Sequence, residues 1–364
     1  MKKFAVKRGI LLASAAALAV SGGVSGASSG DEAQPRMSLL TEYLQEGYQQ
    51  DEHPREEHTA EPAGGLPRTA WKDIEAFQLL RTTAGRPLEP AVSRLSCPEP
   101  TACRQQFGDE VVSWTAAGGA VALHKSVDAL SRQSSFSGLG RPVNSEYAFG
   151  TAYRTDFAHG SLIRVPELGR VMTWDPEISG SAVVIGDSQT GPGTWMDQGL
   201  AALGYRTVLR GAGGTGYVQG NGTVGNYYTA LTRHQWVLPW GNPRLVVLEG
   251  GGNDAWNASD IQIAEAAQNM IREARRTYPE SRLVMVGVIS SGPNSADSRR
   301  TAVDTLLASV AAKQGVEFLS VGDWWTRFPL GDLREEDGRH FTAAGHLAAG
   351  KILARELGAL LSAG

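Results

Sequence analysis

The stretch Ser181-Ala-Val-Val-Ile-Gly-Asp-Ser-Gln-Thr190 decides the fold. Its apolar part, residues 182–185, is short, β-branched and uncharged, the mark of a strand buried on both faces. It breaks at Gly186-Asp187-Ser188, and residues 194–203 read as a helix. A hydroxyl side chain at the carboxyl end of a buried parallel strand sits where open α/β sheets place their chemistry. A serine there can also simply cap the following helix, and these ten residues leave both readings open.

Toward the C-terminus the pattern is regular. Strands are expected at 182–185, 206–209, 245–248, 283–289 and 317–319. Helices are expected at 194–203, 227–236, 260–278, 295–314 and 342–361. In the fourth helix Val303, Leu306, Leu307 and Val310 recur at helical spacing. Strands alternating with helices of this length predict an α/β fold, a parallel sheet covered on both faces. Residues 179–364 are of one-domain length.

Upstream of the deciding stretch the character changes. Lys2, Lys3, Lys7 and Arg8 precede an uncharged run, 9–20, and Ser25 and Ala27 fit a small-x-small cleavage site. Residues 1–27 therefore read as a Sec-type signal peptide, and the protein as secreted. No cysteine stands directly after the expected cleavage site, so a lipoprotein anchor is not expected. Cleavage would remove four positive charges from a chain of net charge −4. That balance argues against nucleic acid as a partner. No other run is long and apolar enough to span a membrane.

Residues 28–66 read as a polar, partly disordered linker with a short helix at 37–43. Two histidines and several acids meet in Asp51-Glu-His-Pro-Arg-Glu-Glu-His58, but their spacing matches no standard metal-ligand pattern. Residues 67–178 hold strand-like runs at 111–114, 120–124 and 162–165 and read as a smaller, mostly β accessory domain. It is either a sugar-binding sandwich or a plain packing domain. Cys97 and Cys103 are the chain's two cysteines. In a secreted protein so close a pair predicts a disulfide, worth about 2 kcal/mol by the chain-entropy argument.

Four places in the α/β half share one position, the exit from a strand. Ser188 is the first; Gly211-Ala-Gly-Gly-Thr-Gly216, Gly250-Gly-Gly-Asn-Asp254 and Asp337-Gly-Arg-His340 are the others. In a parallel sheet all four converge on one edge. The glycine stretch formally matches a dinucleotide fingerprint, but a poor helix start follows and no acid occurs between Asp197 and Glu249. No cofactor is expected; the glycines instead let a backbone N–H approach a substrate oxygen. Asn253 can stabilise its turn or donate to a developing oxyanion. Asp337 and His340, three apart, can set a carboxylate beside an imidazole and so orient a general base. His340 alone would be an ordinary loop histidine.

At these residues the chain resembles the SGNH hydrolase superfamily, the GDSL-type esterases. Gly186-Asp187-Ser188 is similar to its first block, Gly214 to the second-block glycine, Gly252-Asn253-Asp254 to the third, and Asp337-x-x-His340 to the fifth. The likeness covers about half the chain, residues 181–361. Gln189 and Thr190 depart from the leucine-type residue usual after the serine, and Gly213 or Gly216 can stand in for Gly214. The resemblance implies a three-layer, flavodoxin-like domain and a metal-free serine esterase. Ser188 would attack the ester carbonyl and His340 would move the proton. Asp337 would orient the ring, while Ser188, Gly214 and Asn253 would hold the oxyanion. The nucleophile elbow G-x-S-x-G is absent around Ser188. His346 falls within the last predicted helix and reads as structural.

The expected substrate is a short acyl ester, such as an acetyl group on a polysaccharide or cell-wall glycan. Gln189, Trp195, Trp256 and the Trp324-Trp325 pair lie in or near loops at the expected active edge and are the candidate substrate contacts. Tryptophans there either stack on sugar rings or belong to the core. The alternatives are a lipid esterase, an acyltransferase of the cell envelope, or a glycan-binding protein with an inactive hydrolase domain.

Overall fold

The computed structural model describes residues 68–363; the expected signal peptide, the linker and the short helix at 37–43 lie outside them. The described chain opens with helix α1 (Arg68–Thr83). Four antiparallel strands follow in the order β1 (Ser96–Glu99), β2 (Ala102–Phe107), β3 (Glu110–Thr115) and β4 (Gly119–His124). Alternation sends Cys103, Phe107, Val112 and Trp114 to one face, where Ala70 and Ile74 of α1 cover them. The Trp114 indole N–H donates to Asp73 of the same helix at 2.7 Å. Cys97 and Cys103 form the expected disulfide across the β1–β2 hairpin.

Helix α2 (Lys125–Ser131) leads into a second sheet of β5 (Tyr147–Phe149), β6 (Ala152–Phe157), β7 (Gly160–Val165) and β8 (Arg170–Trp174). Residues 67–178 thus carry two sheets, and the second is not closed at 178. Its edge is completed by β11 (Pro239–Trp240), which pairs in parallel with β8. Ile163, Val165 and Met172 share a core with Val183 and Ile185 of the next strand. The buried Arg170–Glu273 ion pair, 2.9 Å, ties the same two parts. The reason is the strand alternation itself: each half-apolar strand needs a cover, and the α/β half supplies it.

That half is the parallel sheet β10-β9-β12-β13-β14. It comprises β9 (Ser181–Gly186), β10 (Arg206–Gly211), β12 (Leu245–Glu249), β13 (Arg282–Val286) and β14 (Glu317–Leu319). Its helices are α3 (Trp195–Ala202), α4 (Tyr227–Thr232), α5 (Asp260–Thr277), α6 (Ser298–Lys313), α7 (Trp324–Arg327) and α8 (Ala343–Ala363). Every residue of β9 and β12 is buried. Val183, Ile185, Val246 and Leu248 face α5 and α6. Ala182, Val184, Leu245 and Val247 face α3 and α8. The result is the expected three-layer α/β domain. The chain leaves β9 to one side for β10 and returns to the other for β12. Its strand order therefore reverses between β9 and β12, where open sheets form a crevice beyond the strand ends.

Candidate active site

Ser188 stands in a tight turn at that reversal. The Thr190 N–H donates to the Asp187 carbonyl at 3.1 Å, and the Gln189 N–H to the Asp187 carboxylate at 2.9 Å. Beneath the turn lies Glu249, the last residue of β12, which accepts the Thr190 hydroxyl at 2.9 Å. Burial pushes the Glu249 carboxyl well above its ordinary range, and the neighbouring Asp187 carboxyl adds to the shift. Burial raises Asp187 as well. The serine turn therefore rests on a dry, acidic floor. The end of β10 presses against it from the side: a Cβ on Gly211 would lie 2.1 Å from the Thr190 carbonyl oxygen.

The histidine arrives from 152 residues away. The Ser188 hydroxyl donates to His340 Nε2 at 2.7 Å, and His340 Nδ1 donates to Asp337 at 2.5 Å. Asp337 also accepts the backbone N–H groups of Arg339 (2.8 Å) and His340 (3.0 Å). The Arg339 amide first, and then the His340 side chain, hold the Asp337 carboxyl well below the usual carboxylate range. An ionised carboxylate only accepts, so Nδ1 carries a proton, and the neutral tautomer this selects presents a bare Nε2 to the serine. That is the arrangement in which an imidazole can take a hydroxyl proton.

Donors line the other side. The Asp254 carboxylate accepts three successive amides, Tyr217 (2.8 Å), Val218 (3.1 Å) and Gln219 (2.8 Å), and so fixes the glycine-rich loop. A Cβ on Gly216 would sit 2.5 Å from that carboxylate, which explains the glycine. The Gly216 N–H is spent on the Gln219 carbonyl at 2.8 Å. Among the described residues, the amides of Ser188, Gly213 and Gly214 donate to no protein acceptor. Gly213 faces the serine, its would-be Cβ 3.8 Å from the Ser188 Cβ, and Gly214 has φ +76°. One Asn253 side-chain N–H goes to the Thr215 carbonyl at 2.9 Å. The other has only a long 3.4 Å approach to Asp187. The loop does not open a helix; the next one begins at Tyr227.

Four of the five expected substrate contacts are corrected by burial. Trp195 and Trp324 are fully buried and Trp325 nearly so. Helices α3 and α7 turn these rings inward, and Trp195 and Trp325 pack against Phe341, the residue after His340. Gln189 is buried too: its amide donates to the Arg339 carbonyl at 3.2 Å and accepts the Trp195 indole N–H at 3.0 Å. It clamps the serine turn to the histidine loop. Trp256 alone is open, 54% exposed, with the Arg339 guanidinium 5.4 Å from its ring. His346 Nδ1 accepts the Trp195 backbone N–H at 3.1 Å and so caps α3. Sequence reasoning gave no role to Glu249, Asp254 or the Gln189 clamp. Asp254 follows Asn253 in the quoted motif, and a lone acid ending an apolar strand was the available signal for Glu249. Among the described residues, no group of three or more His, Cys, Asp or Glu side chains is placed to hold a metal ion.

Residues 178–348 match the GDSL-like lipase/acylhydrolase family. A search of curated proteins found no match. Similar solved structures include a carbohydrate acetylesterase from Sinorhizobium meliloti, 19% identical over 50% of this chain and 99% of that one, TM-score 0.37. The aryl esterase of M. smegmatis is 16% identical over 50% and 99%, TM-score 0.37. A catalytic mutant of an acetylxylan esterase from Geobacillus stearothermophilus is 14% identical over 50% and 94%, TM-score 0.39.

Proposed function

Given that residues 178–348 are a GDSL-like lipase/acylhydrolase domain, and the protein a carboxylic-ester hydrolase, we propose that it removes short acyl groups from carbohydrate by way of an acyl-serine. The observation that carries this reading is the Ser188–His340–Asp337 relay, 2.7 Å and 2.5 Å, at the sheet's reversal point. Ser188 Oγ attacks the ester carbonyl carbon as its proton passes to His340 Nε2. The oxyanion takes N–H groups from Ser188, from Gly213 or Gly214, and from the Asn253 side chain. His340 then returns the proton to the leaving alcohol. A water deprotonated by the same nitrogen releases the acid and restores Ser188.

Carbohydrate is supported by the openness of the site. Asp337 and His340 are 48% and 42% exposed, so a bulky polymer can reach the relay. Trp256, beside Arg339 on the histidine loop, offers an aromatic face of the kind on which a sugar ring stacks. The Cys97–Cys103 disulfide supports an oxidising, extracytoplasmic compartment, in keeping with the expected signal peptide.

The test is hydrolysis of p-nitrophenyl acetate, butyrate and octanoate, and of an acetylated oligosaccharide, by the protein and by Ser188→Ala and Trp256→Ala. Acetate turnover should vanish in Ser188→Ala. Trp256→Ala should raise KM about fivefold for the oligosaccharide and leave p-nitrophenyl acetate unchanged. Preference for octanoate would overturn the short-acyl reading, and activity surviving in Ser188→Ala would overturn the nucleophile.

A further inference from the structure

A cleft of about 230 Å³ lies far in sequence from the relay, between the β1–β2 hairpin and helix α2. Arg94, Arg104 and Arg132 line it, with Asp128 the one acid. Asp128 accepts the Arg132 Nε–H at 3.0 Å and so answers one of the three cations. Among the described residues, the guanidinium groups of Arg94 and Arg104 meet no acceptor, carboxylate or aromatic ring. This is a local excess of positive charge on a chain of net charge −4.

The cleft is also built. Arg104 is half-buried, and its strand partner in the β1–β2 register is Ser96, which lines the same cleft. The residues beside these two are Cys97 and Cys103, the disulfide pair. Alternation turns Cys103 into the core under α1 and Arg104 out to the opposite face. The cross-link thus pins the hairpin that presents the arginine. The Gln106 side chain donates to the Gly108 carbonyl at 2.9 Å, fixing the floor. Planar forks of N–H donors match the two oxygens of a carboxylate or phosphate.

We propose that this cleft is a binding site for a small oxyanion, a carboxylate or phosphate group, held by Arg94 and Arg104 with Ser96 at its side. Its volume of about 230 Å³ admits such a group together with part of the molecule that carries it. It is separate from the ester-cleaving relay, so loss of either leaves the other measurable.

The experiment is calorimetric titration of the full chain at low salt with inorganic phosphate, with a galacturonate oligosaccharide and with a neutral xylo-oligosaccharide. Arg104→Gln, Arg94→Gln and Ser188→Ala are titrated beside it. At least one anionic probe should bind, with the neutral sugar silent. Either arginine variant should weaken binding about tenfold, the worth of one charged hydrogen bond. Ser188→Ala should bind as the parent does, and p-nitrophenyl acetate turnover with an unchanged melt certifies the fold of both arginine variants. Phosphate binding alone assigns the site to phosphate, and galacturonate alone to a carboxylate. Binding of neither anion, binding of the neutral sugar equally well, or binding undiminished in both arginine variants would overturn the proposal.

Discussion

Replacing Asn253 by alanine separates its two possible jobs, fixing a turn and holding an oxyanion. The side chain spends one N–H on the Thr215 carbonyl at 2.9 Å. The second reaches toward Asp187 at 3.4 Å, too long for a well-formed bond, and is free to turn to a substrate oxygen. Losing the first bond removes one neutral, partly buried hydrogen bond, about 1 kcal/mol of stability. Losing the second removes one preorganised donor, about 3 kcal/mol from the transition state. At 1.36 kcal/mol per factor of ten, the barrier change corresponds to roughly a 150-fold fall in kcat. The ground-state carbonyl is held less tightly than the oxyanion, so KM for p-nitrophenyl acetate should move little. The assay is steady-state kinetics beside a thermal melt. A kcat within about threefold of the parent, with the melt lowered as expected, would refute the donor role and leave Asn253 a turn residue.

Two further outcomes are expected. Gln189→Ala should lower stability by about 2 kcal/mol, because the buried Trp195 indole N–H loses its acceptor. It should also cut kcat about tenfold as the histidine loop loosens. A kcat within about twofold of the parent, with the melt lowered as expected, would remove the clamp from the argument. For pH, burial lowers the pKa of His346 from 6.5 in the folded protein, with the charge of His340 adding to it. Below about pH 6.5 the unfolded chain therefore binds more protons, and stability falls as pH drops. His346→Gln keeps an acceptor for the Trp195 amide without titrating. Between about pH 7.5 and about pH 5.5 it should lose less melting temperature than the parent. Equal losses in the two proteins would refute a titrating cap.

The architecture of the α/β half was legible in the amino-acid pattern. Strands 182–185 and 245–248 are uniformly apolar because both faces of a parallel strand are covered, so pattern and burial are one fact. The serine and asparagine loops were legible because each follows such a strand, and strand polarity fixes the edge they share; the aspartate–histidine loop, beyond α7, was legible from its Asp-x-x-His spacing. Tertiary structure decided what periodicity does not encode. Trp195 and Trp324 lie near the active edge in sequence, but the direction in which a short helix turns its rings depends on what packs beneath it. A hydrogen bond within the loop occupies the Gly216 amide and so removes Gly216 from the candidate donors, leaving Gly213 and Gly214. The sheet of 147–174 reaches across to Pro239–Trp240, a pairing between residues far apart in sequence. Glu249 and Asp187 acquire their raised pKa values from the shared dry space beneath the serine turn. Local sequence fixes propensity and alternation; burial, partner and charge state are properties of what the folded chain brings alongside.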